Sequence, residues 1–312
     1  MIETKELTKN FGPHKAVDNV TFKIQQGECV GLLGLNGAGK TTLLRMLTCL
    51  LTPTSGSAFI NGLDIAGASL DVRRLIGFLP EVPPLYGEMP VGQFLSFVAR
   101  LRGVDGADVP SWVHNAIDRC QLSDVSGQII DTLSYGYKKR VGIAQAIVHR
   151  PPIVVLDEPI AGLDPAQIVE MREMIRRLSG EHTILLSSHI LGEISQTCDR
   201  IMVMHKGKIA AQGTEEQLLG GLTRTQRLCV TVRGEQDKVE SVFNSIDSVS
   251  VLNCSTSQDG SVVTDIQSSG DVRSKVARAL VESGLELLEL RQLKHDLEAV
   301  FLELTVKSEE ES

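Results

Sequence analysis

Residues 34–42 read GLNGAGKTT, directly after the apolar run CVGLL. The spacing fits G-x-x-x-x-G-K-[ST], a strand-to-helix loop suited to holding phosphate. Gly34, Gly37 and Gly39 let the backbone turn its N–H groups inward, and Leu35, Asn36 and Ala38 carry the amides between them. The positive end of the following helix adds to this cradle. Lys40 would reach the β- and γ-phosphates of a nucleotide, the Thr41 hydroxyl would ligate magnesium, and Thr42 would support the cradle. The strand before the motif and the helix after it make chance a poor explanation. Nucleotide binding is the expectation.

A second run, IVVLDEP, places Asp157 and Glu158 at the end of a short apolar strand. Two unpaired carboxylates make poor core, because buried charge is costly. Magnesium explains them, with Asp157 holding the ion through water and Glu158 polarising the attacking water. His189 ends a third apolar run, TILLSSH. Alone it reads as a core or rim histidine. In open parallel sheets, however, ligands gather at the carboxyl ends of the strands, where Lys40, Asp157 and His189 would converge. His189 is therefore expected to contact the γ-phosphate.

These short, nearly continuous apolar runs suit parallel strands covered on both faces. Asp164 and Pro165 start a helix with Ile168, Met171, Ile175 and Leu178 on one face. Residues 200–213 read as a hairpin turning at Lys206-Gly207. Residues 86–150 differ, reading as mainly helical, with Pro90 near one helix start and a stripe of Phe94, Leu95, Val98 and Leu101. Beyond about residue 220 the order becomes β-α-β-β-α-β, with a turn at Asp259-Gly260 and a last helix in DLEAVFLEL. That order is the split-βαβ arrangement of a ferredoxin-like domain. The expected organisation is an α/β P-loop domain over 1–216 with a helical subdomain at about 86–150, a small C-terminal α+β accessory domain over 217–306, and an acidic tail at 307–312.

Bulk properties exclude several classes. The 312 residues suffice for one large and one small domain. No apolar run approaches the roughly 20 residues that span a bilayer, and MIETKELTKN lacks the regions of a secretory signal. Six cysteines without a C-x-x-C pair suit a reducing compartment rather than disulfides or zinc. The net charge of −8 weighs against a nucleic-acid backbone binder. A cytoplasmic protein is expected.

Over residues 2–216 the ordered motifs resemble an ABC transporter ATP-binding subunit. GLNGAGKTT resembles its Walker A loop, IVVLDEP the Walker B strand, AGLDP (161–165, with Asp164) the D-loop, SSH the H-loop and LSYGY (133–137) the signature. NFGPHKAVDNV resembles the segment carrying the aromatic that stacks on adenine, which makes Phe11 the candidate. The C-terminal extension, ending HDLEAVFLELT, is similar to that of exporter subunits, including drug-export and gliding-motility-associated ATPases. The resemblance implies ATP and Mg2+ as ligands, and ATP hydrolysis coupled to transport. It implies two nucleotide domains paired head to tail, each ATP lying between the Walker A loop of one and Ser134 and Gly136 of the other. A homodimer is expected, together with a separate integral membrane permease whose cytoplasmic helices enter the groove between the α/β core and the helical block. The chain would then sit on the cytoplasmic face of the inner membrane.

Two motifs depart from the family pattern. The signature is usually L-S-G-G-Q, whereas Tyr135 and Tyr137 here replace a glycine and the glutamine. Ser134 remains well placed as an N-cap of a helix with Tyr137, Val141, Ala144 and Val148 on its apolar face. Tyrosine cannot close the capping box that glutamine closes. IGFLPE (76–81) occupies the Q-loop position, with Glu81 where glutamine is usual. A carboxylate can ligate magnesium, but it adds negative charge near the γ-phosphate. The run YKKR (137–140) reads as a solvated helix face, with a basic patch toward ATP or the permease as the alternative.

Two other functions compete. A soluble ABC ATPase acting on ribosomes or nucleic acid would usually bring tandem nucleotide domains, or coiled-coil or zinc insertions, and none is found. A nucleotide-sensing regulatory subunit would not need Lys40, Asp157, Glu158 and His189 together, yet all four are present.

Overall fold

The computed structural model describes residues 1–222, 226–257, 260–268 and 270–293. The chain divides into two compact units, Met1–Thr214 and Glu215–Ser312.

The first unit opens with strands β1 (Ile2–Phe11), β2 (His14–Ile24) and β3 (Cys29–Leu33), followed by helix α1 (Lys40–Leu47), β4 (Ser55–Ile60) and β5 (Leu63–Asp64). Strands β2, β1, β4 and β5 form an antiparallel sheet in that order. This sheet leaves little trace in hydrophobic periodicity, because register shifts along β1 break its alternation of buried and exposed residues.

Next come α2 (Ser69–Leu75), β6 (Ile76–Leu79), α3 (Val91–Leu101), α4 (Val109–Arg119), α5 (Tyr135–Ile147) and β7 (Ile153–Leu156). The unit continues through α6 (Pro165–Ser179), β8 (Thr183–Ser188), α7 (Leu191–Ser195), β9 (Arg200–His205) and β10 (Lys208–Gly213). A second sheet runs β10-β9-β3-β8-β7-β6. Its strands are parallel except for β10 at the edge. Every residue of β3, β7 and β8 is buried, which explains their uninterrupted apolar sequence. The β9–β10 turn holds Lys206 at φ 45° and Gly207 at φ 81°, the left-handed pair that two-residue hairpins favour. One core cluster joins the two sheets, with Leu43, Leu44, Met46 and Leu47 of α1 within it.

Helices α3, α4 and α5 pack together as the helical block. Phe94, Leu95 and Val98 are buried as expected, but Leu101 is 68% exposed. The buried stripe of α3 is completed by Val91 and Ala99, and Leu101 falls on its margin at the helix end. Helix α5 departs further from expectation. It packs against α3, α4, β6 and β7, and its buried residues include Gly142, Ile143, Ala146 and Lys139 alongside Val141 and Ala144. The run 137–140 is therefore not a solvated face: Lys139 is fully buried.

The second unit contains α8 (Glu215–Leu222), β11 (Gln226–Arg233), α9 (Gln236–Asn244), β12 (Val249–Thr256), β13 (Ser261–Ser268), α10 (Arg273–Glu282) and β14 (Glu286–Leu293). Its antiparallel sheet has the order β12-β13-β11-β14, the ferredoxin-like arrangement. Val239 and Phe243 of α9 and Val276 and Leu280 of α10 share a core with Leu228, Val230, Val232 and Ile266. The last helix expected in DLEAVFLEL, the Asp259 half of the expected turn and the tail at 307–312 lie outside the described residues. Among the described residues no helix is long and apolar enough to cross a membrane.

Candidate functional site

The loop between β3 and α1 is held from three sides. Within it, Ala38 N donates to Leu35 O at 3.1 Å. Gly34 N donates to Ser188 O at the end of β8 (3.3 Å), and Gly207 N donates to Ala38 O from the β9–β10 turn (3.0 Å). Gly39 stands at φ 104°, and a Cβ there would fall 2.2 Å from Ala16 O, so only glycine fits. The neighbouring strands thus shape the loop before any ligand arrives.

Lys40, at the start of α1, is buried, and its Nζ donates to Gly34 O (2.6 Å) and Leu35 O (3.4 Å). The same ammonium lies 3.3 Å from Glu158 Oε1, while Glu158 Oε2 lies 3.0 Å from His189 Nδ1. Lys40, Glu158 and His189 therefore form one continuous chain of polar contacts. They follow β3, β7 and β8, adjacent strands whose carboxyl ends open on the same side. Glu158 is held at φ 48°, a left-handed conformation uncommon outside glycine.

Asp157 is buried beside Glu158. Its Oδ1 accepts from Ser187 Oγ at 2.7 Å, whereas Oδ2 is buried without a hydrogen-bond partner. Ser187 Oγ in turn accepts from Glu158 N at 2.9 Å, so one hydroxyl fixes both acidic residues. An orphaned buried carboxylate oxygen is rare and points to a missing polar partner or cation. Among the described residues no group of three or more His, Cys, Asp or Glu side chains stands together as a metal cage. Magnesium does not require one, because it keeps waters and takes ligands from substrate phosphates. The Asp157 Oδ2 atom fits such an ion, and Thr41 and Glu81, which share the cavity with Glu158, offer further oxygen ligands.

That cavity measures about 510 Å³. It is lined by residues 35–42, Phe11, His14, Ala16, Glu81, Glu158, Ala161 and His189. Phe11, at the tip of the β1–β2 hairpin, is half-exposed at its rim. Gly34 contributes its carbonyl to Lys40 instead of lining the cavity. Asp157, beside Glu158, does not line it, and neither do Ser134, Gly136 and Asp164.

Those three residues occupy helix starts. Ser134 Oγ caps α5 by accepting from Tyr137 N at 3.4 Å, and Asp164 Oδ1 caps α6 by accepting from Gln167 N at 2.9 Å. Gly136 is buried against the Gln167 side chain. Tyr137, in the place of the usual glutamine, donates from its hydroxyl to Asp124 at 2.7 Å. Tyr135 is half-exposed, and burial followed by the Glu81 charge raises its pKa.

Three residues of this neighbourhood receive no role from the motifs in which they lie. His14 faces Phe11 across the hairpin. Ser187 betrays itself only as a hydroxyl inside an otherwise apolar strand. Lys139 Nζ donates to Glu81 O (2.7 Å) and to Glu158 O (3.1 Å), contacts that no local pattern announces.

With this geometry in place, comparison with known proteins is informative. The model of the ABC transporter family matches residues 17–161. The chain is 33% identical over 305 residues to the uncharacterized ABC transporter ATP-binding protein YxlF of Bacillus subtilis, covering 97% of this chain and 99% of that one. It is also 33% identical over 306 residues to the bacitracin transport ATP-binding protein BcrA of Bacillus licheniformis, covering 97% of each. Among solved structures, cbiO1 from Clostridium perfringens, part of the ABC transporter complex cbiONQ, superposes with a TM-score of 0.65 at 29% identity, covering 70% of this chain and 90% of that one.

Proposed function

Because the chain belongs to the ABC transporter family of ATP-binding proteins, it is an ATPase, and we propose that it drives a separate membrane permease. Two copies would pair head to tail, each ATP lying between loop 34–42 of one copy and Ser134 and Gly136 of the other. The observation that carries this reading is the division of the site. Phe11, loop residues 35–42, Glu81, Glu158 and His189 share one cavity, while Ser134, Gly136 and Asp164, at the starts of α5 and α6, lie off it; Asp157 is also off it but directly precedes Glu158. A second copy supplies what the first does not bring to its own cavity.

In this reading Phe11 stacks on adenine, and the loop amides and Lys40 hold the phosphates. Lys40 exchanges its contact with Glu158 for a phosphate oxygen, which frees the carboxylate. Glu158 then accepts a proton from the attacking water, with His189 steadying its other oxygen. Thr41, Asp157 and Glu81 would hold magnesium, which neutralises phosphate charge when bound. Asp164 and its loop meet the partner copy.

The permease would dock on a groove of about 500 Å³ between the core and the helical block, lined in part by Arg45, Leu50, Arg73, Phe78, Pro84 and Arg102. The full-length similarity to a protein named for bacitracin transport supports an exporter. Docking would place the chain on the cytoplasmic face of the membrane. Glu158→Gln tests the assignment. The variant is expected to bind ATP, lose turnover and accumulate as a dimer, with a multi-spanning protein co-purifying. Normal hydrolysis by the variant would overturn the role of Glu158.

A further inference from the structure

Lys139 ties together three segments that lie far apart in sequence. It lies on α5 just beyond Ser134 and is fully buried. One contact of its Nζ is Glu81 O, in the segment following β6, and another is Glu158 O, in the turn following β7. The ammonium also lies 5.6 Å from the centroid of the Tyr135 ring, within cation–π range. Burial lowers its pKa, while the carboxylates of Glu81, Asp157 and Glu158 oppose that shift. Burying a cation is costly, so an ammonium placed here demands a reason.

The reason lies in the backbone of Glu158. At φ 48° this residue occupies a conformation that its side chain disfavours, so its surroundings must enforce it. Ser187 Oγ fixes the N–H of Glu158, and Lys139 Nζ fixes its carbonyl. The residue is thereby gripped at both ends, with its carboxylate between Lys40 and His189.

We propose that Lys139 is a positioning residue for hydrolysis: its ammonium holds the Glu158 backbone in the left-handed conformation that aims the carboxylate, and ties it to Glu81 and to the start of α5. The proposal rests on the reading of Glu158 as the base. It has a consequence for the pair of sites. The α5 start that would meet the partner's nucleotide carries, through one side chain, the backbone of the same copy's Glu158. A shift of α5 on the partner's phosphate is thus felt at this chain's own base.

The test uses the full chain with Lys139→Met and Lys139→Gln, beside Glu158→Gln. Methionine and glutamine both end one bond short of the lysine nitrogen; methionine carries no donor, whereas glutamine keeps an N–H2 group. Turnover, KM for ATP and equilibrium binding of a fluorescent ATP analogue are measured at saturating magnesium. Lys139→Met is expected to lower kcat about ten- to hundredfold, the loss of charge-assisted hydrogen bonds. Lys139→Gln is expected to lower it several-fold, with nucleotide affinity unchanged in both. That graded order with flat affinity is not what general loosening of the fold produces. If Lys139→Met does not fold, Lys139→Gln decides: lower kcat at unchanged affinity supports the proposal. Unchanged kcat in either variant, or affinity falling in step with kcat, overturns it. Normal turnover in Glu158→Gln would instead sink the reading of the base itself.

Discussion

Lys40 Nζ and Glu158 Oε1 lie 3.3 Å apart, and both side chains are buried. The cation of loop 34–42 and the carboxylate beyond β7 thus neutralise one another across the site, with β8 lying between their strands. Breaking a buried pair by removing one partner leaves the other uncompensated. Lys40→Met removes the cation proposed to hold phosphate and leaves Glu158 with His189. ATP affinity is expected to fall by about ten- to hundredfold, the worth of one charge-assisted hydrogen bond. Isothermal titration with ATP checks this, and an unchanged affinity would contradict it.

Ser187→Ala addresses the support beneath the two acidic residues. The variant loses the acceptor for Glu158 N and the donor to Asp157 Oδ1, both buried. Leaving such groups unpaired costs about 1–3 kcal/mol each. Urea unfolding is expected to show a lower midpoint, and turnover should fall more than nucleotide affinity. A variant as stable and as active as the parent would show that the hydroxyl is dispensable.

The position of each acidic and basic motif residue is legible in sequence because each sits at the end of an apolar run. Lys40 follows β3, Asp157 and Glu158 follow β7, and His189 follows β8. Local pattern and parallel-sheet topology then suffice to bring them together. Lys139 escapes such reasoning because its partners, Glu81 O and Glu158 O, are main-chain atoms from distant segments. Spacing records side-chain types, not the direction in which a carbonyl points. For the same reason YKKR reads as solvated although one of its lysines is fully buried. The sheet of β1, β2, β4 and β5 was hidden by register shifts, and Leu101 by its place at a helix end.

His149 gives the stability a pH dependence unrelated to catalysis. Burial, and then the charge of Arg102, lowers its pKa from 6.5 to about 4. The folded chain therefore binds this proton less readily than the unfolded chain. Its contribution is complete above pH 6.5 and is lost as the pH falls toward about 4. Across the whole window the effect amounts to about 3 kcal/mol. His182, shifted downward chiefly by burial, acts in the same direction. The urea midpoint is expected to drop between neutral and mildly acidic pH, and His149→Gln should lessen that drop. Equal pH dependence in the variant would contradict the assignment.

Gly136→Ala separates folding from partner contact. The added methyl would lie 2.7 Å from Gln167 Oε1, the far end of a flexible side chain that can swing aside. Stability should therefore change by less than about 1 kcal/mol. If the glycine admits a partner's phosphate, turnover falls at least about tenfold, because a misplaced donor is costly in the transition state. Thermal melting and steady-state turnover, measured on the same preparation, report the two effects separately.

The most direct measurement is complementation between two inactive chains, one carrying Lys40→Met and the other Ser134→Arg. If each site joins loop 34–42 of one copy to Ser134 of the other, the mixed dimer places both defects in one site and leaves its second site intact. Co-expression is then expected to restore ATP turnover well above the sum of the two variants alone. Turnover no higher than that sum, with mixed dimers shown to form, would contradict a site shared between copies.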